Sequence, residues 1–241
     1  MTGSARETIL SRIRAALENP ATATLRGRSG EEGAMASPKG AGVGIPREYR
    51  RTGSRSRSEV LSLFEERVSD YRATVFRCPA SELSRAVARA LQRRGVRRLV
   101  VPADLEGSWL DRVPDGTLEM LRDGEEGRSF TKGQIASCHG VLSGCAVGIA
   151  ETGTIVLDAG PGQGRRVLSL LPDYHLCVVF GEQVVETVPE AVRDLAPVVA
   201  AHGRPLTLVS GPSATSDIEL VRVEGVHGPR NLEVILVEEP R

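Results

Sequence analysis

Val147-Gly-Ile-Ala-Glu-Thr-Gly-Thr-Ile-Val-Leu157 reads as two short runs of small, β-prone apolar residues flanking a polar centre, Glu151-Thr-Gly-Thr154. Runs of this kind mark buried strands. The insertion places a carboxylate, two hydroxyls and a conformationally permissive glycine where the chain is otherwise entering the core. A buried carboxylate is costly unless it is paired or hydrogen-bonded. Either the segment lies at the mouth of a sheet or Glu151 has a partner. Both readings make it the leading site candidate.

Working outward, helices and strands alternate on both sides. Residues 58–71 carry an apolar stripe at Val60, Leu61, Phe64 and Val68, which predicts an amphipathic helix. A strand follows at 73–77. Ser81 is placed to cap a helix that runs to Arg94 and ends at Gly95. Strands are expected at 98–102, 118–122, 141–143, 175–180, 206–210 and 232–237, the last closing the sheet. Short helices are expected at 105–111, 131–136 and 165–171, and a longer one at 188–201. The apolar run His175-Leu-Cys-Val-Val-Phe180 suits a strand covered on both faces. The alternation is the βαβ signature of an α/β domain.

Before this body lie an amphipathic helix at 5–17 and a Gly-, Arg- and Ser-rich stretch without hydrophobic periodicity. The expected organisation is therefore an N-terminal helix and flexible arm over 1–55 and an α/β domain over 56–241. The arginine-rich run 47–57 reads as a solvated connector rather than a binding patch.

Composition narrows the function classes. The 31 basic and 31 acidic residues cancel, against the basic excess of a nucleic-acid protein. Aromatics are only 3%, too few for base-stacking platforms. Cys78, Cys138, Cys145 and Cys177 form no Cys-x-x-Cys pair, and no iron–sulfur or zinc spacing is present. They read as buried free thiols of a cytoplasmic protein. No apolar run reaches the ~18 residues of a membrane span, and no secretory leader is evident. No metal site is expected and no cofactor is assigned.

Two further segments carry chemistry. Gly160-Pro-Gly-Gln-Gly164 lacks the Lys-Ser/Thr ending of a P-loop and the dinucleotide glycine spacing, so it reads as a flexible hairpin or crossover loop. Gly211-Pro-Ser-Ala-Thr-Ser-Asp217 is expected as a loop after a strand. It offers Gly211, Pro212, Ser213, Thr215 and Asp217 for an anion at a helix N-terminus, or a hydroxyl that merely caps a helix. Ligands of open α/β sheets sit beyond the carboxyl ends of parallel strands, which favours the first reading. His227, on the turn Gly225-Val-His-Gly-Pro229, and His175, at a strand start, are each a proton carrier, an anion donor or a structural residue. His139 and His202 read as surface residues.

Ala150-Glu-Thr-Gly-Thr154, Leu171-Pro-x-x-His175, Ser210-Gly-Pro-Ser-x-Thr-x-Asp-Ile-Glu219 and Gly225-Val-His-Gly-Pro229, in this order, resemble the LUD-domain family and, within it, the lactate-utilisation protein C branch. The likeness covers about residues 55–240. It departs at Ala214, where the pattern implies a basic residue. The resemblance implies a parallel-rich α/β sheet with helices on both faces, similar to the ribose-phosphate isomerase, glucosamine-phosphate deaminase and CoA-transferase group. It also implies a part in oxidising L-lactate to pyruvate beside iron–sulfur partner subunits, with this chain as the cluster-free accessory subunit. Under the alternative, a stand-alone enzyme or binding protein for a phosphorylated or CoA-linked small molecule, Glu151 is base or nucleophile and His227 the proton carrier. Thr152, Gly153, Thr154, His175 and the 211–217 loop then hold the ligand. Whether the chain forms a homo-oligomer is left open.

Overall fold

The computed structural model describes Ser11 and residues 48–216, 222–224 and 228–238. The expected first helix (Ser11 apart) and most of the arm lie outside these residues, as do Asp217 and His227. In chain order the described elements are α1 (Arg57–Asp70), β1 (Thr74–Cys78), α2 (Leu83–Arg93), β2 (Arg98–Pro102), β3 (Glu119–Asp123), α3 (Lys132–Ala136), β4 (Gly140–Ser143), β5 (Val147–Ile149) and β6 (Thr154–Leu157). They continue with β7 (Tyr174–Phe180), β8 (Val184–Val185), α4 (Val188–His202), β9 (Thr207–Val209), β10 (Ala214–Ser216), β11 (Arg222–Glu224) and β12 (Asn231–Val237).

The principal sheet has the order β1-β12-β7-β4-β2-β3, and every pairing in it is parallel. β12, expected to close the sheet, lies inside it. It inserts between β1 and β7, and six of its seven residues are buried. The central strand β7 is buried along its whole length, which is why it reads as a continuous apolar run.

Helices cover both faces. On one, Leu83, Val87 and Leu91 of α2 pack with Trp109 against Leu142, Leu176, Val178 and Ile235. On the other, Val60, Leu61, Phe64 and Val68 of α1 pack against Cys177, Val179, Val234 and Leu236. That second face is also covered by a four-stranded sheet, β8-β5-β6-β9, which contributes Ile155 and Leu157 to the same cluster. Ala191 and Leu195 of α4 cover the small sheet from outside, against Val147, Ile149 and Val156. The Val147–Leu157 segment thus forms the β5–β6 hairpin at the middle of a layered stack.

Local signals set the helix ends. Ser56 caps α1 and Glu59 reaches back to the Ser56 backbone. Thr187 and Glu190 make the same reciprocal box on α4, which Gly203 ends in a left-handed conformation. Ser81 is not a cap, because a 3-10 turn over Ala80–Glu82 precedes α2 and leaves Ser81 inside it. The short helices expected at 105–111 and 165–171 are 3-10 turns over Gly107–Leu110 and Arg166–Ser169.

Candidate functional site

The polar centre of the hairpin is a turn pressed onto α1. Gly153 has φ +56°, and a Cβ there would lie 2.5 Å from the Arg67 carbonyl carbon. Only glycine allows this approach. The turn hydroxyls form a chain: Thr152 Oγ1 lies 2.8 Å from Thr154 Oγ1, which lies 2.8 Å from Ser210 Oγ. The hairpin is thereby joined to the loop that follows β9.

Glu151 faces the other way. Its backbone N–H donates to the Glu186 carbonyl at 3.0 Å, bringing two carboxylates to one end of the β5–β8 pair. Arg50 pairs with both carboxylates. Arg55 donates to Glu186 Oε1 at 2.7 Å and stands 3.8 Å from Glu151. The Arg55 backbone N–H fills Glu186 Oε2 at 2.8 Å, and the Gly53 N–H donates to Glu190 at 3.0 Å. The Glu186 side chain is only 3% exposed. The Arg55 N–H, outweighing burial, holds its carboxyl below the usual carboxylate range, helped by Arg50. The run 47–57 is therefore more than a solvated connector. The Arg50 and Arg55 side chains are half-exposed, but residues 50–55 strap across Glu186. Of the two readings of Glu151, both hold: it sits at the end of a sheet and it has partners.

A cleft of about 240 Å³ lies beside the hydroxyl chain, lined by Ser169, His175, Ser210, Gly211, Ser213 and Pro229 among others. His175 is the second residue of β7 and Leu232, also in the lining, the second of β12. The cleft thus opens at the amino ends of two parallel strands, not beyond their carboxyl ends as expected. The loop's own strand, β9, is not parallel; it pairs antiparallel with β6 in the small sheet. A short apolar run satisfies either pairing, so the sequence did not separate them. The expected loop over 211–217 also contains β10, whose Thr215 pairs with Val223.

His175 is 2% exposed. Its Nε2 lies 2.8 Å from Ser143 Oγ, which donates to the Gly144 carbonyl at 3.0 Å. Gly211, at φ +80°, would bring a Cβ within 2.5 Å of the Tyr71 carbonyl. Ser213 N–H donates to the Pro229 carbonyl at 2.8 Å, tying the loop to the start of β12. Pro212 and Ser213 are half-buried. Beneath His175 on the same sheet face, Cys177 lies fully buried. Hydrogen bonds from Cys145, His175 and Ser143 lower its thiol from the ordinary value. Cys145 is raised, first by that same contact and then by burial.

The structure therefore brings together Thr152, Thr154, His175, Gly211, Pro212 and Ser213 around one cleft and its hydroxyl chain. Glu151 is not in the cleft lining. Arg50, Arg55, Glu186 and Ser143 escaped the sequence reading. One signal for Glu186 was available: Val184-Val-Glu-Thr187 repeats the pattern of an apolar run broken by Glu-Thr.

The glycine-rich loop at 160–164 is pinned rather than flexible. Gln163 and Asp158 exchange bonds at 2.8 and 2.7 Å, Gly160 N–H donates to Asp158 and Gly162 N–H to Asp104. With the Gly160 and Gly162 N–H groups taken by carboxylates and the Gln163 N–H by the Gly160 carbonyl, these three amides are not free to cradle a phosphate. Among the described residues, no three His, Cys, Asp or Glu side chains are grouped to hold a metal ion, and no helix is long and apolar enough to cross a membrane.

The LUD domain family model matches residues 61–237. Lactate utilization protein C of Deinococcus radiodurans is 50% identical over 182 residues, 76% of this chain and 81% of its own length. Lactate utilization protein C of Shouchella clausii is 28% identical over 192 residues, with the same coverage of 76% and 81%. A crystal structure of a DUF162 family protein from Deinococcus radiodurans superposes with a TM-score of 0.65 at 44% identity, covering 77% of this chain and 100% of that one. With four ordered motifs, the α/β architecture and a family match spanning the body of the fold, the chain belongs to the LUD-domain family.

Proposed function

We propose that the chain is a component of an L-lactate utilisation system and that the His175 cleft holds a small organic anion of the lactate or pyruvate class. The observation that carries this is the cleft's chemistry. It joins the buried His175 to the hydroxyl-bearing Ser169, Ser210 and Ser213, and no carboxylate stands in its described lining. A small acid meets polar groups there and no repelling charge. At about 240 Å³ the space suits a compact molecule and lies below the usual range for drug-sized ligands. The naming of the Deinococcus relative supports the pathway.

In this reading Thr152, Gly153 and Thr154 back the cleft wall through the hydroxyl chain to Ser210, and Gly211, Pro212 and Ser213 supply its rim. The chain acts as a cluster-free accessory subunit, with the electrons carried by iron–sulfur partner subunits. Its four cysteines lack cluster spacing, which supports that division of labour. Glu151 and His227, the catalytic pair of the stand-alone alternative, are given no step here, because Glu151 is engaged by Arg50.

Growth of a deletion strain on L-lactate, with glucose as control, tests the pathway. Failure on lactate alone, restored by the wild-type chain but not by His175→Ala, is the expected result. Normal growth on both carbon sources counts against it. Calorimetric titration with L-lactate, pyruvate and a sugar phosphate tests the ligand class directly. Binding of the sugar phosphate alone would move the stand-alone reading to first place.

A further inference from the structure

On the α2 face of the principal sheet, away from His175, a second and larger cleft of about 470 Å³ lies between α2 and residues 112–118. Its floor is apolar: Leu91 and Val96 belong to the α2-side core, and Val113 and Leu118 pack against it. Its rim is cationic, carrying Arg85, Arg89, Arg97 and Arg112. Arg85 is tied to Glu82 at 2.8 Å, whereas Arg89, Arg97 and Arg112 are exposed and without an ion pair among the described residues.

The charge is concentrated by sequence. Residues 83–103 contain Arg85, Arg89, Arg93, Arg94, Arg97 and Arg98 and no acidic residue, in a chain whose net charge is zero. No carboxylate lines the cleft; Asp111 and Asp115 lie on the same segment but outside the lining. The carboxyl end of α2 also lines it and carries about half a negative charge, which the unpaired guanidinium groups exceed.

We propose that this cleft is a second binding site, for an organic anion with an apolar body. The carboxylate or phosphate sits on Arg89, Arg97 and Arg112, and the hydrocarbon lies over Leu91, Val96, Val113 and Leu118. Each half of the surface excludes a simpler ligand. An inorganic anion has no use for the apolar floor, and a neutral hydrocarbon leaves the unpaired guanidinium rim unused. The planar guanidinium fork matches carboxylate and phosphate oxygens, and the volume falls within the ~300–1,000 Å³ of ligand pockets.

The test uses the full chain and isothermal titration with dodecanoate below its micelle concentration. Dodecyltrimethylammonium keeps the tail and reverses the charge, while acetate and inorganic phosphate keep the charge without the tail. Dodecyl phosphate against dodecanoate separates a phosphate head from a carboxylate head. The expected result is one site per chain for a twelve-carbon anion. Neither the cation nor the tailless anions should displace dodecanoate from this site. The R97Q/R112Q double variant should weaken dodecanoate at least tenfold with its melting temperature unchanged, both side chains being exposed. The H175A variant should bind dodecanoate as the wild type does, which separates this site from the His175 cleft. Equal binding of dodecyltrimethylammonium, undiminished binding by R97Q/R112Q, or binding only of an acidic peptide in place of dodecanoate would overturn the proposal.

Discussion

Arg55 grips Glu186 twice: its guanidinium donates to Oε1 at 2.7 Å and its own backbone N–H to Oε2 at 2.8 Å. Side chain and main chain of one residue thus satisfy both oxygens of a carboxylate that is almost wholly buried. Arg50 adds a bond at 2.8 Å. This arrangement makes residues 50–55 part of the folded body, and it ties their attachment to ionisation of Glu186.

The first prediction concerns that attachment. Glu186→Ala should release residues 48–56, seen as faster amide exchange and tryptic cleavage after Arg50 and Arg55, with a lower Tm. The pH dependence has a definite sign. The folded carboxyl is held below its ordinary value, so the unfolded chain binds the proton more readily. The stabilisation is complete above the unfolded value of about 4.3 and is lost as pH falls through the folded one. A Glu186→Gln variant should show a flatter Tm profile between pH 5 and the acid limit. An unchanged profile would remove Glu186 as the acid-sensitive link.

A second ion pair ties the carboxyl end of β3 to the loops at 130 and 165. Asp123 accepts from Arg165 at 2.7 Å on each oxygen and from the Phe130 N–H at 2.9 Å. Burial pushes this carboxyl up, but the Arg165 guanidinium and the Phe130 N–H outweigh it and hold it below the ordinary value. Asp123→Asn should cost about 2–3 kcal/mol, less than a fully buried pair because Arg165 stays hydrated. Denaturant unfolding measures it. A loss below ~0.5 kcal/mol would show the pair to be ornamental.

Gly211→Ala tests the shape of the His175 cleft. The added methyl meets the Tyr71 carbonyl at 2.5 Å, and the residue must hold φ +80°. The expected destabilisation is about 1–3 kcal/mol, the cost of a strained backbone position. If the 210–213 loop positions an anion, affinity for L-lactate falls together with stability. Retained affinity with reduced stability would assign the loop to the scaffold alone.

Ser143→Ala removes the partner of the His175 ring. A buried polar atom left without its partner costs about 1–3 kcal/mol, and the imidazole loses the Ser143 contact that fixes its orientation. In the proposed reading lactate binding weakens at least tenfold, and Ser143→Thr, which keeps the hydroxyl, restores part of it. A thermal-shift assay reads both effects: ligand at about 100 times Kd adds roughly 2.7 kcal/mol to the wild type. The same ligand response in Ser143→Ala would sink the ring-orienting role.

Much of the fold was legible along the chain. β2 lies at 98–102 as its apolar run implied, and β7 gains only Tyr174 at its start. The stripe Val60, Leu61, Phe64 and Val68 is the buried face of α1. These features rest on neighbours within a turn or two, where periodicity and caps are written directly. The start of α2 was misread for the same reason in reverse: Ser81 has the right chemistry for a cap, but the backbone tightens into a 3-10 turn there.

The amino-acid sequence by itself determined that Val147–Leu157 holds two buried runs broken by a polar turn, and that Glu151 needs a partner or an edge. The four ordered motifs determined the family. Only the tertiary structure decided that the hairpin belongs to a second sheet, that β12 threads between β1 and β7, and that Arg50 and Arg55 reach carboxylates far along the chain. Arg50 and Glu186 are 136 positions apart. Their pairing depends on which strands close which loops, and that choice is made by the whole buried core rather than by any local pattern.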